Sequence, residues 1–325
     1  MKIKRLLSAV LITALVLTTM TLVSCSSKKD KYTVGVIQLI THDALDAATE
    51  GFIKALEDKL GKDNVEIDVQ NAAGSPDTCA TIAKSFVTKK VDLIMANATS
   101  ALQAAYNATA TIPILGTSVT EYGVALGIEN FSGTVGENVS GTSDLADLAK
   151  QAQMIIDLVP NAQKVGMLYC SAEANSDYQV KKVSEYLKKK GLTCVNYEFS
   201  DSNDVTSVTQ KAASECDAIY IPTDNTAASC AETIYGAMGE NKKPIIAGES
   251  GICAGCGIAT LSISYYDLGY KTGEMAASIL KKEAEIEKMP IAYAPQETKK
   301  YNKAICNDLG IDTKALEDAG YTALD

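Results

Sequence analysis

Short apolar runs alternate with longer amphipathic stretches along most of the chain. The apolar runs are rich in Val and Ile, which is typical of strands that are buried on both faces of a parallel sheet. They predict strands at Thr33–Ile40, Val65–Asn71, Leu93–Asn97, Ile112–Thr117, Lys164–Tyr169, Leu192–Phe199, Ala218–Ile221 and Pro244–Ala247. The stretches between them predict helices at Ala44–Leu60, Asp77–Lys89, Ser100–Ala110, Asn175–Lys190, Asp204–Cys216 and Thr226–Gly239. Strands that alternate with helices in this way indicate βαβ units.

The alternation stops after the fourth strand and resumes near Lys164. The stretch between, Gly133–Asp144, contains three glycines and several small polar residues, which predicts a domain boundary and a hinge. The predicted fold class is therefore α/β, with two doubly wound parallel-sheet lobes joined by a hinge. Ligands of open parallel sheets bind beyond the carboxyl ends of the strands. We expect a ligand cleft between the lobes that closes by hinge motion.

The N-terminus has the pattern of an export signal. Its first five residues include three cations, and Leu6–Val23 carries no charge. A transmembrane anchor is the alternative, since about 18 apolar residues approach the length of a membrane span. Leu22–Cys25 resembles a bacterial lipobox, in which the cysteine is lipidated. We expect residues 1–25 to be a lipoprotein signal with lipidation at Cys25, residues 26–31 to be a tether, and the protein to be exported and anchored to the outer face of the membrane.

Composition narrows the possible partners. The net charge of −10 is spread along the chain, which argues against nucleic acid and against a basic membrane-binding face. Of nine cysteines, only Cys253 and Cys256 are closely spaced; a zinc site needs about four ligands, so the pair predicts a local disulfide or two free thiols. No cofactor or metal is expected.

An enzyme is also disfavoured by the sequence. The only histidine is His42, and nucleophilic catalysis usually needs an adjacent base. The chain has no Gly-x-Ser-x-Gly elbow, Walker loop or His-Glu-x-x-His motif. We therefore expect a binding protein.

Polar residues cluster where the predicted strands end. Thr99 and Ser100 open a helix, whose free N–H groups and dipole favour a ligand carboxylate. Asp224 and Glu249 follow later strands and suit a ligand ammonium group. The remaining polar shell is predicted to contain Gln38, Thr117 and Asn175. Together these groups favour an α-amino acid that bridges the cleft.

Helix capping is the competing explanation for the same residues. Thr99, Ser100, Asn175, Ser176 and Asp224 are all good N-caps, each worth about 0.5–2 kcal/mol without any ligand. Asp224 is expected to be free for a ligand, because the two residues that follow it could cap the helix instead.

Several segments carry a family resemblance. They are Thr41–Asp46, Asn71–Gly74, Ser143–Asp144, Glu173–Ser176, Pro222–Asn225 and Tyr265–Gly269. They resemble the substrate-binding lipoproteins of ABC transporters in the TrpX-like group, from about Tyr32 to the C-terminus. The resemblance implies a type I periplasmic-binding-protein fold with chain crossings near Ser140–Asp144, near Ser262–Tyr266 and after Lys282. Lobe 1 would then comprise residues 32–142 and about 264–284, and lobe 2 residues 143–263 and about 285–325.

The resemblance also implies roles for individual residues. Asp224 would hold the ammonium group and Thr99 with Ser100 the carboxylate, while His42 would form a wall of the side-chain pocket. The second lobe's side would be lined by Glu173, Asn175 and Ser176. The family's usual Gly-Thr pair at the third strand reads Asn97-Ala98-Thr99 here, and the Cys253–Cys256 pair is also a departure.

The implied function is uptake of an amino acid, with tryptophan, tyrosine and phenylalanine as leading ligands. The implied partners are an ABC permease and its ATPase, and the protein is expected to be a monomer. A sugar or nucleoside on the same fold is the closest alternative, although sugar clefts generally stack their ligand on aromatic rings and the chain has no Trp but 15 Tyr. A sensor that presents its ligand to a membrane receptor is the other alternative.

Overall fold

The computed structural model describes residues 31–294 and 296–324, so the predicted signal segment and Cys25 lie outside the described residues. The strands are β1 Tyr32–Gln38, β2 Val65–Asn71, β3 Leu93–Asn97, β4 Ile114–Val119, β5 Val139–Ser143, β6 Lys164–Cys170, β7 Thr193–Phe199, β8 Ala218–Ile221, β9 Ile245–Ala247, β10 Ala259–Ser262, β11 Ala292–Tyr293, β12 Thr298–Tyr301 and β13 Thr322–Ala323. The α-helices are α1 Asp43–Leu60, α2 Pro76–Lys89, α3 Thr99–Ala108, α4 Tyr122–Leu126, α5 Leu148–Leu158, α6 Ala174–Lys189, α7 Val205–Glu215, α8 Asn225–Ser229, α9 Ala231–Ala237, α10 Ser250–Gly255, α11 Tyr265–Leu280, α12 Lys303–Asp308 and α13 Thr313–Asp318. None of these helices is long and apolar enough to cross a membrane.

Two sheets form two lobes. The first lobe contains six strands in the order β11-β5-β4-β3-β1-β2, and the second contains seven in the order β13-β12-β10-β9-β8-β6-β7. The pairings between the described strands are parallel, except that β10 and β12 are antiparallel. Helices cover both faces of each sheet, and their apolar sides build separate cores on either face. The predicted α/β fold of two doubly wound lobes is confirmed.

The eight predicted strands are all present, with bounds that differ by at most two residues. Of the predicted helices, only Thr226–Gly239 is divided, into α8 and α9 with Cys230 between them. The Ser229 hydroxyl donates to the carbonyl of Thr226. Such a side-chain bond competes with the helical pattern and favours the end of a helix.

The boundary placed after position 284 was wrong. Ala292–Tyr293 forms β11 and pairs with β5 in the first sheet, not in the second. Ile291 donates its N–H to Gly133 at 2.7 Å, and the Ser140 hydroxyl donates to the carbonyl of Met289 at 3.0 Å. These long-range bonds keep the chain in the first lobe until Tyr293. The last crossing therefore lies between β11 and β12.

Helix α11 returns to the first lobe and packs against α1 with very close backbones. A Cβ placed on Gly269 would lie 1.9 Å from the carbonyl oxygen of Ala48, and one on Gly51 would lie 2.1 Å from that of Tyr266. Real Cβ atoms do not approach other atoms so closely, so glycine is required at both positions. This contact fixes the start of α11, where the chain crosses between the lobes.

Candidate functional site

The carboxyl ends of strands from both lobes meet at a small central cavity of about 10 Å³. It is lined by His42, Leu45, Ser118, Asp144, Thr223, Asp224, Asn225, Ala228, Glu249 and Tyr265. A volume of this size holds about one water-sized group. The lobes also touch here, since His42 Nε2 lies 3.3 Å from Asn225 Oδ1. This is where the sequence predicted an interlobe cleft.

Two larger cavities border the central one. A cavity of about 370 Å³ lies between the start of α1 and helices α8 to α10, and His42 lines both it and the central cavity. A cavity of about 320 Å³ lies between Ser100 on the first lobe and Glu173 on the second, and Asn225 lines both it and the central cavity. Of the bonded pair, His42 thus borders the central and 370 Å³ cavities, and Asn225 borders the central and 320 Å³ cavities.

Asp224 is buried and already has three protein donors. Its Oδ2 accepts from the N–H of Cys170 and the hydroxyl of Ser176, both at 2.7 Å, and its Oδ1 accepts from the N–H of Ala227 at 2.7 Å. Asp224 is therefore the N-cap of α8, and the expectation that the next two residues would cap the helix was wrong. Burial and the nearby Glu173 carboxylate raise the pKa of Asp224 above its ordinary value.

Glu173 explains why Asn225 and Thr226 do not cap α8. Its carboxylate accepts from the N–H and side-chain amide of Asn225 at 3.0 and 2.7 Å. It also accepts from the N–H and hydroxyl of Thr226 at 2.9 and 2.8 Å, and from the amide of Asn175 at 3.1 Å. With five donors, Glu173 locks the loop after β6 to the start of α8. Its carboxylate lines the 320 Å³ cavity but is committed to the second lobe's own structure.

Glu249 lines the central cavity and caps a helix at the same time. Its carboxylate accepts from the N–H groups of Gly251 and Ile252, at 2.6 and 2.5 Å, at the start of α10. Burial raises the pKa of Glu249 above its ordinary value. The predicted acids Asp224 and Glu249 therefore do lie together, on the second lobe's side of the cavity.

The structure separates the two residues that were predicted to bind a ligand carboxylate. Ser100 lines the 320 Å³ cavity, whereas Thr99 is buried and borders none of the three interlobe cavities described above. Between β3 and α3, Ala98 has a φ of +100°, in the region that favours glycine. The resemblance described in the sequence analysis would place a glycine here, and the chain keeps this backbone conformation with alanine instead.

Three predicted residues belong to the interior of the first lobe instead of the cavity lining. The Gln38 amide donates to Asp46, and the Asn97 amide donates to the carbonyl of Leu45 at 2.8 Å. The Thr117 hydroxyl bonds to that of Thr142 at 3.1 Å. Similarly, Asn175 and Ser176 contact Glu173 and Asp224 inside the second lobe. These residues position the cleft and do not line the central cavity.

The sequence reasoning did not select Ser118, Asp144 or Tyr265, which line the central cavity. The signal for them was present. Ser118 follows Gly116-Thr117 near the end of a strand, and the other two residues lie at the predicted chain crossings. Strand ends and chain crossings also carry such residues for local structural reasons, so the sequence pattern alone does not single out these three.

Within the described residues, the structure also decides between a disulfide and free thiols. Their eight cysteines are all free thiols, including Cys253 and Cys256. Both of these are fully buried in the core beside α10, and burial raises the pKa of each thiol above its ordinary value. A buried neutral thiol is a poor nucleophile.

We therefore expect Cys253 and Cys256 to resist alkylation in the folded protein. Cys194 and Cys230 are partly exposed and should react first. Iodoacetamide labelling followed by peptide mass mapping, with and without denaturant, measures this order. A mass loss of two hydrogens on the peptide that carries both Cys253 and Cys256 would instead reveal a disulfide.

Comparison with known proteins decides the family. The model of the ABC transporter substrate binding protein family matches residues 33–317. The chain belongs to this family. Its members are substrate-binding proteins and not enzymes, and they work outside the cytoplasm. A relative described as a tyrosine-binding protein, from Clostridioides difficile, is 42% identical over 257 residues, which cover 78% of this chain and 74% of the relative.

Two solved structures from the comparison differ in an informative way. A Streptococcus pneumoniae ABC domain in complex with L-Trp is 32% identical, has a TM-score of 0.85, and covers 90% of this chain and 100% of its own. A ligand-free, open substrate-binding protein with adhesive properties, from Clostridium difficile, is 38% identical and covers the same shares, but its TM-score is 0.67. The better match is thus to the less identical but ligand-bound structure. This pattern is expected when the lobes of the present structure are closed.

Proposed function

We propose that this family member captures an amino acid by closing its two lobes, with tryptophan, tyrosine or phenylalanine as the ligand. It delivers that amino acid to an ABC permease and its ATPase. A lipid on Cys25 holds it, as a monomer, at the outer face of the cell membrane. The observation that carries the proposal is a closed interlobe cavity whose lining, within the described part of the chain, contains three buried acids and no Lys or Arg.

The charge of the cavity selects the ligand class. Asp144, Asp224 and Glu249 are each at most 5% exposed, so water screens them weakly. Hydrogen-bond donors compensate Asp224 and Glu249 in part, but a group of buried acids remains costly without a positive group nearby. An amino acid supplies an ammonium group, whereas neutral sugars and anionic ligands do not. Acidic amino acids would add a further negative charge and should be rejected.

The neighbouring surfaces suit an aromatic side chain. Leu45, Ala228 and the ring of Tyr265 give the central cavity its apolar contacts. The 370 Å³ cavity borders His42 and the 320 Å³ cavity borders Asn225, so a bulky side chain has room beside the central cavity. The named ligands of the relatives, tyrosine and L-Trp, support the same class.

The test is calorimetry on the soluble protein from Ser26 onward, refolded to remove carried-over ligand. The panel contains the twenty L-amino acids, their D-forms, several sugars and several nucleosides. We expect micromolar or tighter binding of an L-aromatic amino acid and no binding of aspartate or glutamate. Binding of a sugar or nucleoside, with no amino acid bound, would contradict the proposal.

A further inference from the structure

Three buried polar atoms without a hydrogen-bond partner belong to side chains that line the same central cavity. They are Asp144 Oδ1, Ser118 Oγ and His42 Nδ1. Asp144 is 5% exposed and Ser118 is 6% exposed. Buried polar groups in folded proteins nearly always have partners, because an unpaired one costs roughly 1–3 kcal/mol. Three such atoms at one cavity indicate that a bound group completes them.

Asp144 differs from the other two acids in how its oxygens are used. One oxygen, Oδ2, accepts from the Tyr265 hydroxyl at 3.0 Å, while Oδ1 accepts no hydrogen bond. The nearby Thr120 side chain lowers the pKa of Asp144, while Oδ1 itself has no hydrogen-bond partner among the described residues. Asp224 and Glu249, in contrast, use both oxygens to accept from backbone N–H groups, which lie at the end of β6 and the start of α8 for Asp224 and at the start of α10 for Glu249. Asp144 is the acid of this cavity with an oxygen to spare.

Ser118 is brought to the cavity by an irregularity in β4. The register between β4 and β5 shifts between Gly116 and Val119, and Ser118 between them has a φ of +53°. A bulge of this kind redirects a side chain and is common next to binding sites. A non-glycine residue in the left-handed region is uncommon, so the surrounding structure must enforce it. The result places a hydroxyl without a partner beside Asp144.

The third atom, His42 Nδ1, is an acceptor because the other ring nitrogen donates to Asn225. His42 Nε2 faces Asn225 Oδ1, and a carbonyl oxygen can only accept, so Nε2 carries the hydrogen of that bond. In the neutral ring Nδ1 is then an acceptor. The cavity thus offers a carboxylate oxygen, a hydroxyl oxygen and a ring nitrogen. An ammonium group has three N–H donors and the size of a water molecule, which matches a cavity of about 10 Å³.

We propose that Asp144, together with Ser118 and His42, binds the ammonium group of the ligand, and that Asp224 instead caps α8 and shapes the cavity wall. This inference rests on the proposed function, because it assigns the ammonium end of the proposed amino acid. The ammonium end of the ligand would then lie not at Asp224 in the second lobe but at Asp144, in the chain crossing next to the hinge. A ligand held there contacts the hinge itself, so its ammonium group stabilises the closed arrangement of the lobes. Burial raises the pKa of Asp144 to about 6, so the proposed ammonium group would meet a mostly ionised carboxylate at neutral pH.

The test compares Asp144→Asn, Asp224→Asn and the matched control Asp147→Asn, using L-tyrosine or, if another binds more tightly, the best amino acid of the panel. Asp147 is a partly exposed helix cap three residues from Asp144, and asparagine caps equally well. Calorimetry should show binding to Asp144→Asn weakened by about 30-fold or more, since a charge-assisted bond is lost. The control should bind within about threefold of the wild type. Ligand-free thermal melts should show that all three variants fold.

A pH series separates this role from a merely structural one. The titratable groups near Asp144 are Tyr265 on α11, Tyr122 on α4, Glu249 after β9, Asp224 after β8 and His42 before α1. Wild-type affinity for L-tyrosine should fall about tenfold per unit as the pH falls below about 6, and Asp144→Asn should remove most of that fall. Unchanged affinity in Asp144→Asn, or full loss in a folded Asp224→Asn alone, would overturn the inference while the proposed function stands. A wild type that binds no amino acid would overturn both.

Discussion

Replacement of Gly269 by alanine is expected to destabilise the protein by about 3 kcal/mol or more. The added Cβ would lie 1.9 Å from the Ala48 carbonyl oxygen and 2.6 Å from its carbonyl carbon. Both are backbone atoms of α1, so no side-chain rotation can relieve the contact. The helices must separate, and the apolar contacts between α11 and α1 are lost along their length. Differential scanning calorimetry of the ligand-free protein should show a melting temperature lowered by roughly 6 °C or more.

Gly236→Ala is the matched control. This glycine also lies in a helix, α9, but a Cβ there would have no neighbour within 4 Å. Alanine is the better helix former, so this substitution should stabilise the protein by about 0.5–1 kcal/mol. Equal effects of the two substitutions would show that helix propensity, and not the close contact of α1 with α11, decides the result.

Asp144→Asn is expected to change how the stability of the ligand-free protein depends on pH. Burial raises the pKa of Asp144 from 3.8 to about 6, so the folded state holds its proton in a range where the unfolded chain has lost it. The stability that this proton contributes is fully present below about pH 4 and is lost as the pH rises through about 6. The loss amounts to roughly 3 kcal/mol, since each pKa unit corresponds to about 1.4 kcal/mol.

The measurement is the difference in free energy of unfolding between Asp144→Asn and the wild type, by urea denaturation from about pH 3 to about pH 7. The variant should gain roughly 3 kcal/mol on the wild type over this range, because asparagine has no proton to lose. Asp147→Asn should show no such gain, since Asp147 is partly exposed. A difference that stays constant with pH would mean that Asp144 is ionised in the folded protein at little cost.

The expected effects of Asp144 on stability and on ligand binding have one common cause. Buried acids make the closed, ligand-free arrangement less stable at neutral pH than its apolar packing alone would allow. An ammonium group that enters the cavity neutralises part of this charge and favours closure. The ligand shifts the equilibrium between open and closed lobes only by this difference in affinity for the two states. Removing the acid should therefore stabilise the protein and weaken capture together.

Much of the fold follows from the sequence alone. Periods of apolar residues encode burial and element type locally, and eight strands were placed within two residues on that basis. The rule that ligands bind beyond strand ends located the cleft, and Asp224, Glu249 and His42 do line its central cavity. Local composition carries this information because burial selects apolar residues whichever element of the fold covers them.

The tertiary structure decided which polar groups remain available. Asn225 or Thr226 was expected to cap α8 and leave Asp224 free, but Glu173, 52 residues from Asn225, accepts from both of them and Asp224 caps the helix. Asp144 meets Tyr265 across 121 residues of chain. The short strand β11 joins the first sheet through partners about 150 residues away. Hydrogen-bond partners at such separations depend on how the chain crosses between lobes, and no local pattern records them.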